Sequence, residues 1–182
     1  MSTKSIASQR KLSVKNQTLA TLVAIVASVA LPQFFHLLGA ASGLGTSLGE
    51  VFLPMHLPVI LVGLFAGPMA GALTGAVSPM ISFALTGMPV AAMLPFMVIE
   101  LFAYGIVAGL LREVKMPCVA KVFAVQIIGR VVRLVAILFA IHLLGKENMN
   151  AMSVLYSVKT GLFGLVLQWT MIPLILYRVE NR

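Results

Sequence analysis

Long apolar segments follow one another along this chain of 182 residues, and most of its charged residues lie at the ends of those segments. A helix needs roughly 20 apolar residues to cross a hydrocarbon core about 30 Å thick, so this pattern is typical of membrane-spanning helices. Hydrophobic residues make up 60% of the chain and charged residues only 10%, too little charge for the surface of a soluble domain. The sequence therefore predicts an all-α protein integrated in a lipid bilayer.

Six transmembrane helices account for the apolar segments, in a single membrane domain over residues 1–182 that begins with a basic N-terminus, residues 1–17. The expected helix bounds are about 18–38, 53–66, 69–85, 90–111, 118–144 and 154–177. No room then remains for a catalytic or ATP-binding domain, so we expect the energy source to be a partner or an ion gradient. The first apolar run also has an alternative interpretation as a signal peptide cleaved near Ala40-Ala41-Ser42, but membrane segments downstream favour a retained helix.

Lysine and arginine predict the orientation, because cytoplasmic loops of membrane proteins carry an excess of both. With both termini inside, the outer side has only two positive residues, Lys146 and Lys159. The inner side then has nine: Lys4, Arg10, Lys11, Lys15, Arg112, Lys115, Lys121, Arg178 and Arg182. We expect cytoplasmic termini and a multi-pass location in the inner membrane of a bacterial cell. The net charge of +8 follows from this topology and does not indicate nucleic-acid binding, since no basic patch with interleaved aromatics is present.

Small residues recur at every fourth position in two places. Gly63, Gly67, Gly71 and Gly75 lie in a segment, Glu50 to Pro89, that prolines and glycines divide into two short apolar stretches. Their spacing predicts close packing of helix backbones. In the first helix, the strip Ala20, Ala24 and Ser28 predicts another contact face, and spacing alone does not decide between the protein's own bundle and an external partner.

Three charged residues interrupt the apolar segments, and an ionised group at that depth needs a partner or a water-filled cavity. Glu100 lies midway along the fourth helix, and Arg130 and Arg133 lie one turn apart on the fifth. We expect Glu100 to pair with Arg130 and so to leave one arginine as a forked donor for a carboxylate or phosphate. The functional interpretation is a site for a small anionic solute; the structural alternative is that these charges only fix the helix register.

Other candidate binding residues are less specific. His56 follows a proline near the outer end of the second helix and is a candidate for the rim of a cavity. Tyr104 and Trp169 are candidates for stacking on a ligand, while Asn148 and Lys159 lie in or near the outer loop between helices five and six. No catalytic motif or metal-ligand spacing is present, so we expect a protein that is not an enzyme and that has no cofactor or metal.

Several motifs carry a resemblance to a known family: Ala20-x-x-x-Ala24, a long first outer loop, FLPMHLPVILVGLFAGP from Phe52, LTGMP from Leu85, and the helix with Glu100. With six spans, the chain resembles the substrate-binding S components of energy-coupling factor (ECF) vitamin transporters. It is similar to the branch that includes pantothenate-type S components.

The resemblance implies that a vitamin binds in the outer half of the bundle, under loops one, three and five, which correspond here to residues 39–52, 86–89 and 145–153. It also implies that the protein topples in the membrane when a T component and two ATPases drive release inside. Ala20 and Ala24 then take the role of the face that contacts the T component, with Ser28 continuing the strip. Pantothenate carries a carboxylate, which fits a surplus arginine.

Three alternatives remain. Within the family, the substrate can be another vitamin or precursor, such as pyridoxine, niacin or a corrinoid. Outside it, the chain can be a non-transporting membrane scaffold whose charges serve structure alone. A stand-alone secondary transporter is less favoured, because the two halves of the chain show no internal repeat.

Overall fold

The computed structural model describes residues 12–45, 47–145 and 152–180, and within those ranges the regular structure is helical. In chain order the helices are α1 (Val14–Ala41), α2 (Ser47–Phe52), α3 (His56–Ala66), α4 (Pro68–Thr86), α5 (Leu94–Leu111), α6 (Cys118–Leu144), α7 (Met152–Thr160) and α8 (Leu162–Glu180). Six segments in the described ranges are long and apolar enough to cross a membrane, with α2 and α3 together forming one of them. The all-α fold class and the six spans are thereby confirmed.

The prediction that residues 39–52 form only a loop is wrong, because its last six residues form α2. Leu53 separates α2 from α3 with a positive φ of 47°. It precedes Pro54, and the residue before a proline is disfavoured in the helical conformation. The chain therefore ends one short helix at Phe52 and begins the next at His56, within the same candidate span.

Two other expected helices also differ at their ends. The predicted helix 90–111 begins four residues later, at Leu94, and Pro95 occupies its first turn, where a missing N–H costs nothing. The predicted helix 154–177 is divided at Gly161 into α7 and α8. At Gly161 an added Cβ would lie 2.6 Å from a methyl carbon of Leu53, so this glycine makes room for the α2–α3 connection.

The predicted close packing of glycines occurs where α4 meets α5. A Cβ added at Gly71 would overlap the backbone of Gly105, and one added at Gly75 would overlap the carbonyl of Leu101. On α3, Gly63 also lies close to α5, where an added Cβ would approach the Gly105 carbonyl to 2.7 Å. Gly67 has a different role: its φ of 101° forms the tight turn between α3 and α4.

The strip on α1 packs inside the bundle, and its predicted role as a face for the T component stays a prediction. Ala24 is 7% exposed and Ser28 is fully buried. Ala24 packs in an apolar cluster with Val62 and Ala66 of α3 and with Ala70 of α4, and Ala20 packs against that cluster. Small side chains are needed here because α1 lies close to both helices, so of the two interpretations of the spacing, the structure supports packing within the protein's own bundle.

Candidate functional site

A cavity of about 420 Å³ lies at one end of the bundle. Its wall is formed by the last turns of α1 and α4, the α2–α3 connection, the first turns of α5, the middle of α6, and α7. All of these segments lie toward the end of the protein that the charge distribution predicts to face outward. The volume is in the range of natural small-molecule pockets, about 300–1,000 Å³.

Glu100, Arg130 and Arg133 form one buried ion cluster beside this cavity. The Arg130 Nη1 atom lies 3.1 Å from Oε1 of Glu100, and the Arg133 Nη1 atom lies 2.9 Å from Oε2. Both arginines line the cavity, whereas Glu100 is fully buried behind them. The expected pairing of Glu100 with Arg130 is present, and Glu100 also pairs with Arg133, so that one carboxylate binds both guanidinium groups.

The spacing of the two arginines explains this arrangement. Residues three apart on a helix lie on the same face, so α6 presents both side chains to the same point on α5. The Tyr104 hydroxyl donates to Oε1 of Glu100 at 3.3 Å, one turn further along α5, and so helps to fix the carboxylate. Gly129 makes room for the Tyr104 ring, because a Cβ there would overlap it.

Some N–H groups of the two arginines in the cluster donate no hydrogen bond to a described residue. Arg130 Nη1 also donates to the Ser157 hydroxyl of α7 at 2.9 Å. Among the described residues, however, Nε and Nη2 of Arg130 and Nε of Arg133 are buried without a hydrogen-bond partner. Two guanidinium groups against one carboxylate also leave one positive charge in excess. The cavity wall is therefore chemically suited to a group that is anionic and accepts several hydrogen bonds.

Besides the two arginines, the structure brings His56 to the cavity wall, but not Tyr104, Trp169 or Lys159. Tyr104 is fully buried in the core, and Trp169 donates from Nε1 to Oε1 of Gln126 at 2.7 Å; neither lines the cavity. Lys159 is exposed on α7 and also lies off the cavity wall, although Thr160 beside it is part of that wall. Asn148 lies outside the described residues. The expected stacking of Tyr104 and Trp169 on a ligand is not supported, because both rings are held by protein partners.

Residues absent from the sequence-based candidates complete the wall. His36 of α1 and Ser157 of α7 both line the cavity. Polar residues near the ends of predicted spans are common at membrane interfaces, so their position gave no specific signal. Among the described residues, no group of three or more His, Cys, Asp or Glu side chains is placed to hold a metal ion.

In a comparison with known families, residues 16–177 match the family described as ECF transporter, substrate-specific component. Comparison with curated proteins and with solved structures gives no match. The family match extends from the first turn of α1 to the last turn of α8 and includes every helix that lines the cavity. The chain therefore belongs to the substrate-specific components of ECF transporters.

Proposed function

We propose that this S component captures a small carboxylate-bearing vitamin, with pantothenate as the best candidate, in the cavity beside Arg130 and Arg133. The observation that carries the proposal is the shared ion cluster: two guanidinium groups line the cavity and one carboxylate neutralises only one of them. In an apolar surrounding, an uncompensated positive charge costs several kcal/mol. A bound carboxylate removes that cost, which gives the site its preference for anions.

Size and charge separate the candidate vitamins. A corrinoid macrocycle is too large for a cavity of about 420 Å³. Pyridoxine has no carboxylate to balance the surplus arginine. Pantothenate and niacin both carry one, and the cavity volume of about 420 Å³ favours the larger molecule.

Membership of the family implies association with the T component and the ATPases of an ECF transporter in the membrane. We propose that two ATPases and one T component drive uptake, and that this chain lies in a bacterial inner membrane with both termini in the cytoplasm. The cavity then opens to the outside, where α2, the segment before α5, and α7 surround it.

Thermal unfolding of the purified protein with a panel of vitamins tests the function. A ligand at 100 times its Kd stabilises the folded state by about 2.7 kcal/mol, so a true substrate gives a clear rise in Tm. We expect pantothenate to give the largest rise and pyridoxine to give none. A flat response across the panel would favour the scaffold alternative, and a rise with niacin alone would change the substrate but keep the anionic site.

The Arg133→Ala variant tests the role of the ion cluster. Truncating a buried charged partner costs about 2–5 kcal/mol of binding, so the affinity for the stabilising vitamin should fall by about 30-fold or more. Lys159→Ala is the matched control, because it removes an exposed positive charge that does not line the cavity. Isothermal titration of both variants gives the comparison; equal affinity in wild type and Arg133→Ala would contradict the assigned role.

A further inference from the structure

His56 is a buried polar side chain, and neither of its ring nitrogens makes a hydrogen bond to a described residue. It is 4% exposed, at the first position of α3, and it lines the cavity. Neither Nδ1 nor Nε2 has a hydrogen-bond partner among the described residues. A buried polar group without a partner costs about 1–3 kcal/mol, so a ligand that supplies the partner recovers that free energy.

The protein groups nearest to His56 do not supply this partner. The carbonyl of Leu53 lies close, but it already accepts from the His56 backbone N–H at 3.1 Å and from Nε2 of Gln168 at 3.3 Å. A carbonyl oxygen has two lone pairs, and both are thereby used. Tyr104 contacts the imidazole as a ring, with centroids 5.3 Å apart, while its hydroxyl donates to Glu100.

A second histidine, on α1, has one buried ring nitrogen without a partner among the described residues. His36 of α1 lines the cavity, and its Nδ1 is buried without a partner among the described residues. Its ring lies against the backbone of α2 at Gly49, where an added Cβ would approach Cε1 to 2.7 Å. The ring position is therefore set by packing against α2, independently of any ligand.

Much of the remaining cavity wall is apolar. Met55, Met93 and Met97 line it, and methionine adapts its shape to an apolar ligand segment. A neutral imidazole offers one donor and one acceptor, which matches a hydroxyl or an amide, whereas the arginines offer donors only. The cavity thus has donors for an anion and, beside them, imidazole groups that suit an uncharged polar group.

We propose that the ligand carries, in addition to the carboxylate assigned by the proposed function, an uncharged hydrogen-bonding group, either a hydroxyl or a ring nitrogen, and that His56 and His36 bind this group. The proposal rests on the proposed function for the anionic end. The two histidines add a second binding contact, so that the site distinguishes carboxylates that carry the uncharged polar group from those that lack it.

Two matched pairs of acids test the proposal by isothermal titration against the full-length protein. Pantothenate is compared with N-(3,3-dimethylbutanoyl)-β-alanine, which lacks only the two hydroxyls, and nicotinate with benzoate, which lacks only the ring nitrogen. We expect at least one polar acid to bind wild type about tenfold tighter or more than its apolar counterpart. That preference should disappear in His56→Leu and be partly kept in His56→Gln, which retains a donor and an acceptor.

The outcomes distinguish this proposal from the proposed function. If acids bind but each pair binds equally, or if His56→Leu keeps the wild-type preference, the histidines do not recognise the ligand and the anionic site stands. If no acid in either pair binds wild type, both proposals are overturned. Thermal unfolding of ligand-free His56→Leu is the control for folding, and an unchanged Tm shows that a lost preference is due to recognition.

Discussion

At the scale of single residues, Glu100 is the centre of the site although it does not line the cavity. Its two oxygens bind different arginines, Arg130 at 3.1 Å and Arg133 at 2.9 Å, and the carboxylate is fully buried. Removing one partner of a buried ion pair costs about 3–5 kcal/mol, because the remaining charge loses its compensation. We expect Glu100→Gln to lower the Tm of the ligand-free protein and to increase the stabilisation that an added anion gives.

Glu50→Gln is the control for that measurement, since Glu50 is an exposed carboxylate at the edge of the same cavity. Thermal unfolding of both variants, each with and without the best ligand of the vitamin panel, measures separately the loss of Tm in the ligand-free protein and the stabilisation by the ligand. If Glu100→Gln unfolds at the wild-type temperature, Glu100 does not hold the two guanidinium groups in the way that the structure indicates.

The charged residues were predictable from the sequence, but their pairing was not. Ionised groups in apolar segments stand out, so Glu100, Arg130 and Arg133 were found directly. The shared carboxylate depends on how α5 is rotated against α6, and that rotation is set by packing, for example of Tyr104 against Gly129. His36 was missed for another reason: its ring packs against α2, a helix that the glycine-rich segment did not predict.

At the scale of helices, the contact of α1 with α3 and α4 depends on small side chains. Ala24 is 7% exposed and packs against Val62, Ala66 and Ala70. Overpacking such a contact costs about 1–3 kcal/mol, so Ala24→Leu should lower the Tm of the purified protein. Val26→Leu is the control, because Val26 is 67% exposed on the same helix.

Uptake measurements in cells distinguish the two interpretations of this strip. If the strip packs only within the bundle, Ala24→Leu reduces uptake in proportion to the loss of folded protein. Unchanged Tm and ligand affinity together with abolished uptake would instead support the docking face that the family resemblance implied.

Helix existence was predictable, whereas helix ends depended on local backbone chemistry. The predicted bounds of the fifth transmembrane helix, 118–144, agree with α6 because Pro117 and Gly145 mark its two ends. The break between α2 and α3 depends on the positive φ of Leu53. A leucine side chain does not indicate such a backbone conformation. The division between α7 and α8 falls at Gly161. The side chain of Leu53, from a distant part of the chain, occupies the position that a Cβ at residue 161 would need.

At the scale of the whole molecule, the proposed function requires that the cavity open to the outside, and this orientation can be measured. The distribution of positive residues predicts that Ser42, after α1, lies outside and that Glu113, after α5, lies in the cytoplasm. Both are exposed, and Cys118 is the one native cysteine. In a Cys118→Ser background, we expect a membrane-impermeant maleimide to label Ser42→Cys in intact cells and Glu113→Cys only after the membrane is disrupted.

The orientation decides whether the proposed mechanism is physically possible. Arg130 and Arg133 lie in the same half of the bundle as α2 and α7, so an outward orientation lets an external carboxylate reach them without crossing the apolar cluster of α3, α5 and α8. Thermal stabilisation by the vitamin should be the same in both cysteine variants, which shows that each is folded. Labelling of Glu113→Cys in intact cells, with Ser42→Cys protected, would place the cavity on the cytoplasmic side and contradict capture from outside.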